Sequence, residues 1–304
     1  MCGIVGFASK KADYDKQAVL KEMMDRIAHR GPDGEGSYLD DGVALGHRRL
    51  SIIDLQGGAQ PMYNEDGSMV VIFNGEIYNF QELKAQLEEK GHVFATRSDT
   101  EVLLHGYEEW GKSLLQRLRG MFTFALWDKK ANTLFCARDH FGIKPFYYYQ
   151  NGDTLLFGSE IKSFLPHPEF KKELELYLSF QYSPGEDTFF QGVKKLLPAH
   201  WLEFKDGKLT VERYWTPAFD PETDKSLTQW EDAIENIMKQ SVQAHKISDV
   251  EVGSFLSSGV DSSYMACLAH VDKTFTVGFA DKQYDETHYA ADFSKHIGVK
   301  NFSY

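Results

Sequence analysis

The sequence predicts a mixed α and β fold in two parts, and three observations carry that reading. Short strand-like runs separated by turn signals fill the first part, with amphipathic helices between them. Two prolines, Pro217 and Pro221, then break regular structure. Beyond them an apolar strand feeds a Ser/Gly loop and a helix, and another strand follows, which is the order of a parallel α/β sheet. The expected boundaries are a first domain over 1–195, a linker over 196–225 and a second domain over 226–304.

Each element has its own signal. Met69 to Phe73 is a β-branched and aromatic run that reads as a buried strand, expected to stop at the turn dipeptide Asn74-Gly75. The spacings Phe80-Leu83-Leu87 and Val102-Tyr107-Trp110 predict two amphipathic helices. Phe122 to Trp127, Leu134 to Ala137, Pro145 to Tyr149 and Leu155 to Gly158 read as strands, the last two joined through the hairpin signal Asn151-Gly152. After the linker, Ser226-Leu227-Thr228-Gln229 forms a capping-box pattern, and Leu227, Trp230, Ile234, Ile237 and Ser241 lie on one helical face. Thr274 to Phe279 predicts a strand. Asp285 to Ile297 predicts a helix closed by Gly298, and 299–304 a further strand.

Composition narrows the function classes. The formal charge of −12 argues against a general nucleic-acid or acidic-membrane partner. No apolar stretch approaches a membrane span, and the N-terminus lacks a basic region followed by a long apolar one, so the expectation is a cytoplasmic enzyme. The three cysteines, Cys2, Cys136 and Cys267, are far apart and odd in number, which fits a reducing compartment rather than a disulfide or zinc scaffold. Cys136 and Cys267 read as core residues.

Cys2 carries the chemistry. Once Met1 is removed, one residue holds a thiol nucleophile and an α-amine whose ordinary pKa makes it a base near neutral pH. Two later segments supply what an amide-cleaving thiol needs. Asn74 and the Gly75 N–H are donors suited to the oxyanion of a tetrahedral intermediate. Arg49 can clamp an α-carboxylate, and Glu76 and Asp99 can hold an ammonium, so together they match the two ends of a free amino acid. The polar cluster Arg138-Asp139-His140 reads more readily as a structural turn than as a direct participant.

The start Cys2-Gly3-Ile4-Val5-Gly6, the loop His29-Arg30-Gly31-Pro32-Asp33-Gly34, Arg49-Leu50-Ser51 and Asn74-Gly75-Glu76-Ile77-Tyr78-Asn79 together resemble a class II glutamine amidotransferase domain, in the wording of glutamine-hydrolysing asparagine synthetases. The resemblance implies the four-layer αββα sandwich of N-terminal-nucleophile hydrolases, followed by an incomplete parallel-sheet domain. It implies that Cys2 attacks the carboxamide of glutamine and releases ammonia, with Asn74 and Gly75 as oxyanion donors and Arg49, Ile52, Glu76 and Asp99 as glutamine-binding residues. The loop 29–34 is expected to shape the site.

A second motif spans Glu251 to Ser263. Its loop N–H groups and helix N-terminus make an anion site without the lysine of a Walker loop. It is similar to the pyrophosphate loop of ATP pyrophosphatases, with Ser258 where that loop has a glycine. By this likeness Leu256, Ser257, Ser258, Gly259, Asp261 and Ser262 bind ATP and pyrophosphate, Asp261 also holds Mg2+, and Val277 and Gly278 border the adenine. The family's synthetase domain continues well past residue 304, so the chain is expected to be part of a longer parent. In that parent, ATP converts aspartate to β-aspartyl-AMP, and ammonia from glutamine then gives asparagine, AMP and pyrophosphate. The expected partners are glutamine, aspartate and ATP, with a homodimer as the expected assembly. Two other readings stay open: a related amidotransferase acting on another carboxylate, and a non-catalytic remnant module.

Overall fold

A computed structural model of the chain describes residues 1–10, 13–168, 185–188, 190–221, 224–281, 283 and 285–304. The chain divides into two compact units, Met1–Ala218 and Phe219–Tyr304.

The first unit is built on two antiparallel sheets. Its strands are β1 (Gly3–Ala8), β2 (Gly34–Leu39), β3 (Val43–Arg49), β4 (Met62–Tyr63), β5 (Met69–Ile77), β6 (Gly120–Asp128), β7 (Thr133–Arg138), β8 (Tyr147–Asn151), β9 (Thr154–Gly158), β10 (Val193–Lys195), β11 (His200–Lys205) and β12 (Lys208–Arg213). One sheet has the order β10-β8-β9-β1-β3-β2 and the other β12-β11-β7-β6-β5-β4. A dry layer joins them: Ile4, Ala8, Val43 and Leu45 of the first sheet pack with Val70, Ile72, Ala125, Trp127, Leu134 and Cys136 of the second. Burial of this layer and of a second cluster, Val5, Phe7 and Ala44 under α1 (Lys16–Asp25), holds the stack together. On the far side, α2 (Phe80–Glu88) and α3 (Glu101–Trp110) cover the second sheet, where Tyr107 stacks on Phe135 at 5.0 Å. The architecture is the αββα sandwich that the resemblance implied.

Strand alternation explains how this layering places chemistry. In β1, Ile4 and Ala8 face the layer between the sheets, so Cys2 is in phase with them. In β5, Val70 and Ile72 face the same layer, so Asn74 is in phase with it from the opposite sheet.

Three expectations are corrected in this unit. β5 does not stop at Asn74-Gly75. It runs to Ile77, with Gly75 opposite Phe122 on β6. The glycine serves close approach rather than a turn, since a Cβ there would lie 2.2 Å from the Met121 carbonyl oxygen. The boundary at 195 falls too early: β11 pairs with β7 and β12 with β11, so residues 200–213 extend the second sheet rather than forming a linker. Residues 222 and 223 of the expected linker lie outside the described residues. Finally, β8 begins at Tyr147 and not at Pro145, a residue that has no N–H for the ladder.

The second unit contains α4 (Leu227–His245), β13 (Ser254–Phe255), α5 (Val260–Ala269), β14 (Lys273–Thr276), α6 (Thr287–His296) and β15 (Lys300–Ser303), with a parallel sheet in the order β13-β14-β15. The capping box forms: Ser226 Oγ accepts from Gln229 N at 3.4 Å, and Gln229 Oε1 accepts from Ser226 N at 2.8 Å. The helix expected from Asp285 starts at Thr287, because the Asp285 carboxylate accepts from the Thr287 N–H and hydroxyl and caps from outside. Gly298, at φ +74°, ends it. The apolar stripe of α4 stays open to solvent, with Leu227 75% and Ile237 63% exposed, and so do Phe255 and Val277. Cys267 is half-buried on α5, whereas Cys136 is fully buried in the first unit. Among the described residues no helix is long and apolar enough to cross a membrane.

Candidate active site

One small cleft in the first unit gathers residues that are distant in sequence. It is lined by Cys2, Arg49, Leu50, Ile52, Ile53, Gly58, Gln60, Phe73, Gly75, Glu76, Ser98, Asp99 and Thr100, and holds about 320 Å³ of space not filled by protein. Every residue proposed from sequence for the thiol chemistry lines it except Asn74, which lies between the lining residues Phe73 and Gly75. Asn74 is 1% exposed, and its Nδ2 is buried without a hydrogen-bond partner. An amide donor left unpaired at that depth costs stability, so its presence has to be explained by something other than packing.

The thiol is held by backbone alone. Leu50 N–H donates to Cys2 Sγ at 3.3 Å, and the S–H reaches the Leu50 carbonyl at 3.4 Å. Burial pushes the Cys2 thiol pKa up. Burial also lowers the pKa of the α-amine, here that of Met1. The loop 29–34 braces this corner. Arg30 Nε donates to the Cys2 carbonyl at 2.9 Å, and Asp33 Oδ2 accepts from Ser51 N at 2.8 Å. Gly31 lies so close to Arg48 that a Cβ would sit 2.3 Å from its carbonyl carbon.

Arg49 is tied to its own loop. Its guanidinium donates to the carbonyls of Ile53, Asp54 and Leu55 at 3.3, 2.6 and 3.2 Å. Three of its five N–H donors are thereby engaged. Opposite, Asp99 is 4% exposed and accepts from Ile77 N at 2.9 Å. Burial holds both Asp99 and the neighbouring Glu76 above the usual carboxylate range, and the negative charge of Asp99 raises Glu76 further. Two acids in a closed corner need a cation. The side chain of Lys144, which sequence reasoning passed over, is buried where it interacts electrostatically with Glu76 and Cys2, and its Nζ lies 3.3 Å from Met1 Sδ. The available signal was a lysine two residues past the polar turn Arg138 to Gly142.

That turn is structural. Asp139 accepts from the N–H groups of Phe122, Phe141, Ile143 and Lys144, and Arg138 donates to the carbonyls of Lys144, Leu196 and Gly142. It fixes the position of Lys144 through the Asp139 carboxylate.

The raised carboxylates make the stability of the fold depend on pH. A folded-state pKa above the unfolded value stabilises the fold relative to higher pH and loses that contribution as pH rises past the ordinary carboxylate range. Glu76→Gln, which cannot ionise, is therefore expected to raise the Tm of the substrate-free protein at neutral and alkaline pH and to leave it unchanged at about pH 4. The same variant weakens binding of an ammonium-bearing substrate. Thermal melts across pH check it, and an equal Tm difference at every pH would reject the buried-acid account.

In the second unit, a larger depression of about 1230 Å³ is lined by Leu256, Ser257, Ser262 and Val277 together with Phe255, Phe275, Thr276, Phe279, Gln283 and Glu286. Ser258, Gly259, Asp261 and Gly278 do not line it. The serines bond one another, Ser257 Oγ lying 2.9 Å from Ser262 Oγ, and Gly259 N donates to Ser257 Oγ at 3.2 Å. Ser258 N donates to Glu286 Oε2 at 3.1 Å. That carboxylate, missed in the sequence, occupies a loop N–H expected to face an anion. Among the described residues Ser258 has no positive φ, so serine in place of glycine carries no backbone strain there. Asp261 sits exposed in the first turn of α5.

Comparison with known proteins agrees in both units. The family profile described as a glutamine amidotransferase domain matches residues 1–215, and that of asparagine synthase matches residues 233–304. Asparagine synthetase [glutamine-hydrolyzing] 1 of Bacillus subtilis is 42% identical over 318 residues, covering 100% of this chain and 50% of its own length. Asparagine synthetase [glutamine-hydrolyzing] 3 of the same organism is 39% identical, covering 90% of this chain and 46% of its own. The chain therefore spans about half the length of the curated relatives it matches. Among solved structures, the glutamine PRPP amidotransferase of B. subtilis complexed with ADP and GMP superposes with a TM-score of 0.54 at 19% identity, over 99% of this chain and 65% of that one, a likeness of fold.

Proposed function

We propose, for a chain that belongs to the glutamine amidotransferase family, that the first unit hydrolyses glutamine and supplies ammonia to an asparagine synthetase reaction completed in a longer protein. The observation that carries the first half is the meeting of the Cys2 thiol, Arg49 and the Glu76–Asp99 pair along one cleft.

The Cys2 α-amine, freed on removal of Met1, takes the thiol proton, and Sγ attacks the carboxamide carbon of glutamine. This base is needed because burial holds the thiol pKa up. Negative charge on the former carbonyl oxygen is met by Asn74 Nδ2 and the Gly75 N–H, and Asn74 is already desolvated and unpaired. Collapse expels ammonia, which takes the proton held on the amine and leaves a γ-glutamyl thioester. Water hydrolyses the thioester to glutamate and restores the thiol. Arg49 braces residues 53–55 and offers its remaining donors to the substrate α-carboxylate, with Ile52 beside it. Glu76 and Asp99 receive the α-ammonium, whose arrival restores their ionised forms. In the empty site Lys144 stands beside Glu76 and Cys2.

In the second unit, Ser257, Ser258, Gly259 and Ser262 would hold the phosphates of ATP, with Leu256, Val277 and Gly278 toward the base and Asp261 on a magnesium ion. The nucleotide would supply activation of the aspartate carboxylate for attack by ammonia. Glu286 has to release the Ser258 N–H for phosphate to bind. The open stripe of α4 and the exposed Phe255 and Val277 support a larger domain around this sheet.

The 304-residue chain, tested as it stands, is expected to convert glutamine to glutamate and ammonia, and to form neither asparagine nor AMP with aspartate, ATP and magnesium. Asparagine formation would overturn the division of labour. Absence of glutamate release from the Met1-processed protein would overturn the glutaminase assignment.

A further inference from the structure

A second cluster of ligating side chains lies on the opposite face of the second sheet from Cys2, at the β4–β5 turn, the loop after α2 and the body of α3. Glu65, His92 and His105 bring one donor atom each within 4.8 Å of one another. His105 Nδ1 lies 3.4 Å from Glu65 Oε1 and 3.5 Å from Glu108 Oε2, and His92 Nδ1 lies 3.9 Å from the same Glu108 oxygen. A tetrahedral zinc with bonds of about 2.0–2.1 Å requires donor-to-donor edges of roughly 3.3–3.4 Å, so two of these edges are already near the required length.

The surroundings point the donors inward. His105 is 1% exposed, and its Nδ1 is buried without a hydrogen-bond partner. Its other nitrogen, Nε2, faces Glu101 Oε1 at 3.4 Å. His92 repeats the pattern, with Nε2 3.6 Å from Glu109 Oε2. Both imidazoles thus set Nδ1 toward the cluster and Nε2 toward a carboxylate, the outer-shell arrangement that orients metal-bound histidines. The two carboxylates are positioned as well: Glu65 Oε1 accepts from Val93 N at 3.3 Å, and Glu108 Oε1 accepts from Asn64 Nδ2 at 2.6 Å, which leaves Glu108 Oε2 toward the histidines. Glu65 is exposed and opens the site to solvent.

We propose that Glu65, His92 and His105, with Glu108 beside the two histidines, form a zinc site that ties the β4–β5 turn to α3 and to the loop before it. Imidazoles and carboxylates together are a donor set suited to a borderline divalent ion, and a site that joins three chain segments away from the cleft is structural rather than catalytic. The consequence reaches the cleft through Glu101. Its carboxylate accepts from Ala95 N, Thr96 N and the Thr96 hydroxyl, and so holds the loop that carries Asp99. Fixing His105 by metal fixes Glu101, and with it that loop.

The test uses the full chain stripped by chelator and titrated with zinc alone. One equivalent is expected to bind and to raise the Tm by about 5 °C or more at a hundredfold excess over Kd. His92→Ala and Glu65→Gln are each expected to abolish both effects. Glu65→Gln, isosteric and exposed, decides the matter where His92→Ala fails to fold. Cobalt in place of zinc is expected to give a visible spectrum without the thiolate charge-transfer band in the near ultraviolet, which separates this site from Cys2. Zinc binding unchanged in the folded variants, a thiolate band, or no zinc binding at all would each overturn the proposal. In that case the cluster is a set of ion pairs between histidines and acids.

Discussion

Cys2→Ala eliminates glutamine hydrolysis, with residual activity below roughly one part in 10⁴, while the Tm falls by little. The activity loss follows because no other group in the cleft can form the thioester, and removal of a nucleophile is not rescued by the binding groups that remain. The small stability cost follows from geometry. Among the described residues Cys2 Sγ makes hydrogen bonds only with the Leu50 N–H and carbonyl, at 3.3 and 3.4 Å, and such sulfur contacts are weak. Each contributes about 1 kcal/mol or less. A glutaminase assay beside a thermal melt checks both halves. Activity that survives in well-folded Cys2→Ala protein would transfer the chemistry elsewhere. Cys136 would not inherit it, since that thiol is fully buried and its pKa is pushed well up. Retention of Met1 is expected to match the alanine variant in activity, because it keeps the thiol and removes the base.

Asn74→Ala lowers kcat by on the order of 10²–10³ with KM nearly unchanged. The donor has no partner in the resting structure, so the substrate ground state gains little from it and the oxyanion gains most. Asn74→Asp is expected to fall further, since an ionised carboxylate in phase with the inter-sheet layer would repel the developing charge. Arg49→Ala behaves in the opposite way: its contacts are with Ile53, Asp54 and Leu55, so KM rises as the loop loosens. Steady-state kinetics separate the two patterns. An Asn74→Ala variant that changes KM alone would remove it from the oxyanion role.

Much of the candidate site is legible in the chain because it is written as contiguous runs. Cys2-Gly3-Ile4, Arg49-Leu50-Ser51 and Asn74-Gly75-Glu76 each keep chemical groups and their backbone in one stretch, and the cleft brings these stretches together. What escaped the reading are residues whose importance is created by approach. Lys144 is an ordinary lysine until the Asp139 turn carries it into a corner with Glu76 and Cys2. Glu286 reads as a helix-entry residue until its carboxylate meets the Ser258 N–H. His92 and His105 lie in unremarkable helical and loop sequence, and only the β4–β5 turn brings Glu65 to them.

Asn74-Gly75 marks the boundary between the two kinds of information. The sequence by itself determined that an amide and a glycine follow an apolar run, that a thiol follows the first Met and that a Ser/Gly loop precedes a helix, because residue type and spacing are local properties. Whether Asn-Gly turns or continues is not local. The Met121 carbonyl passing where a Cβ would stand keeps β5 paired to Ile77 and leaves Asn74 Nδ2 buried and unpaired. The same holds for residues 200–213, whose strands exist because β7 offers an open edge, and for the acids Glu76 and Asp99, whose raised pKa values arise from burial in the tertiary fold. Local propensity sets which conformations are available to a segment. Pairing, exclusion of water and the approach of distant backbone decide which one is adopted and what charge its side chains carry.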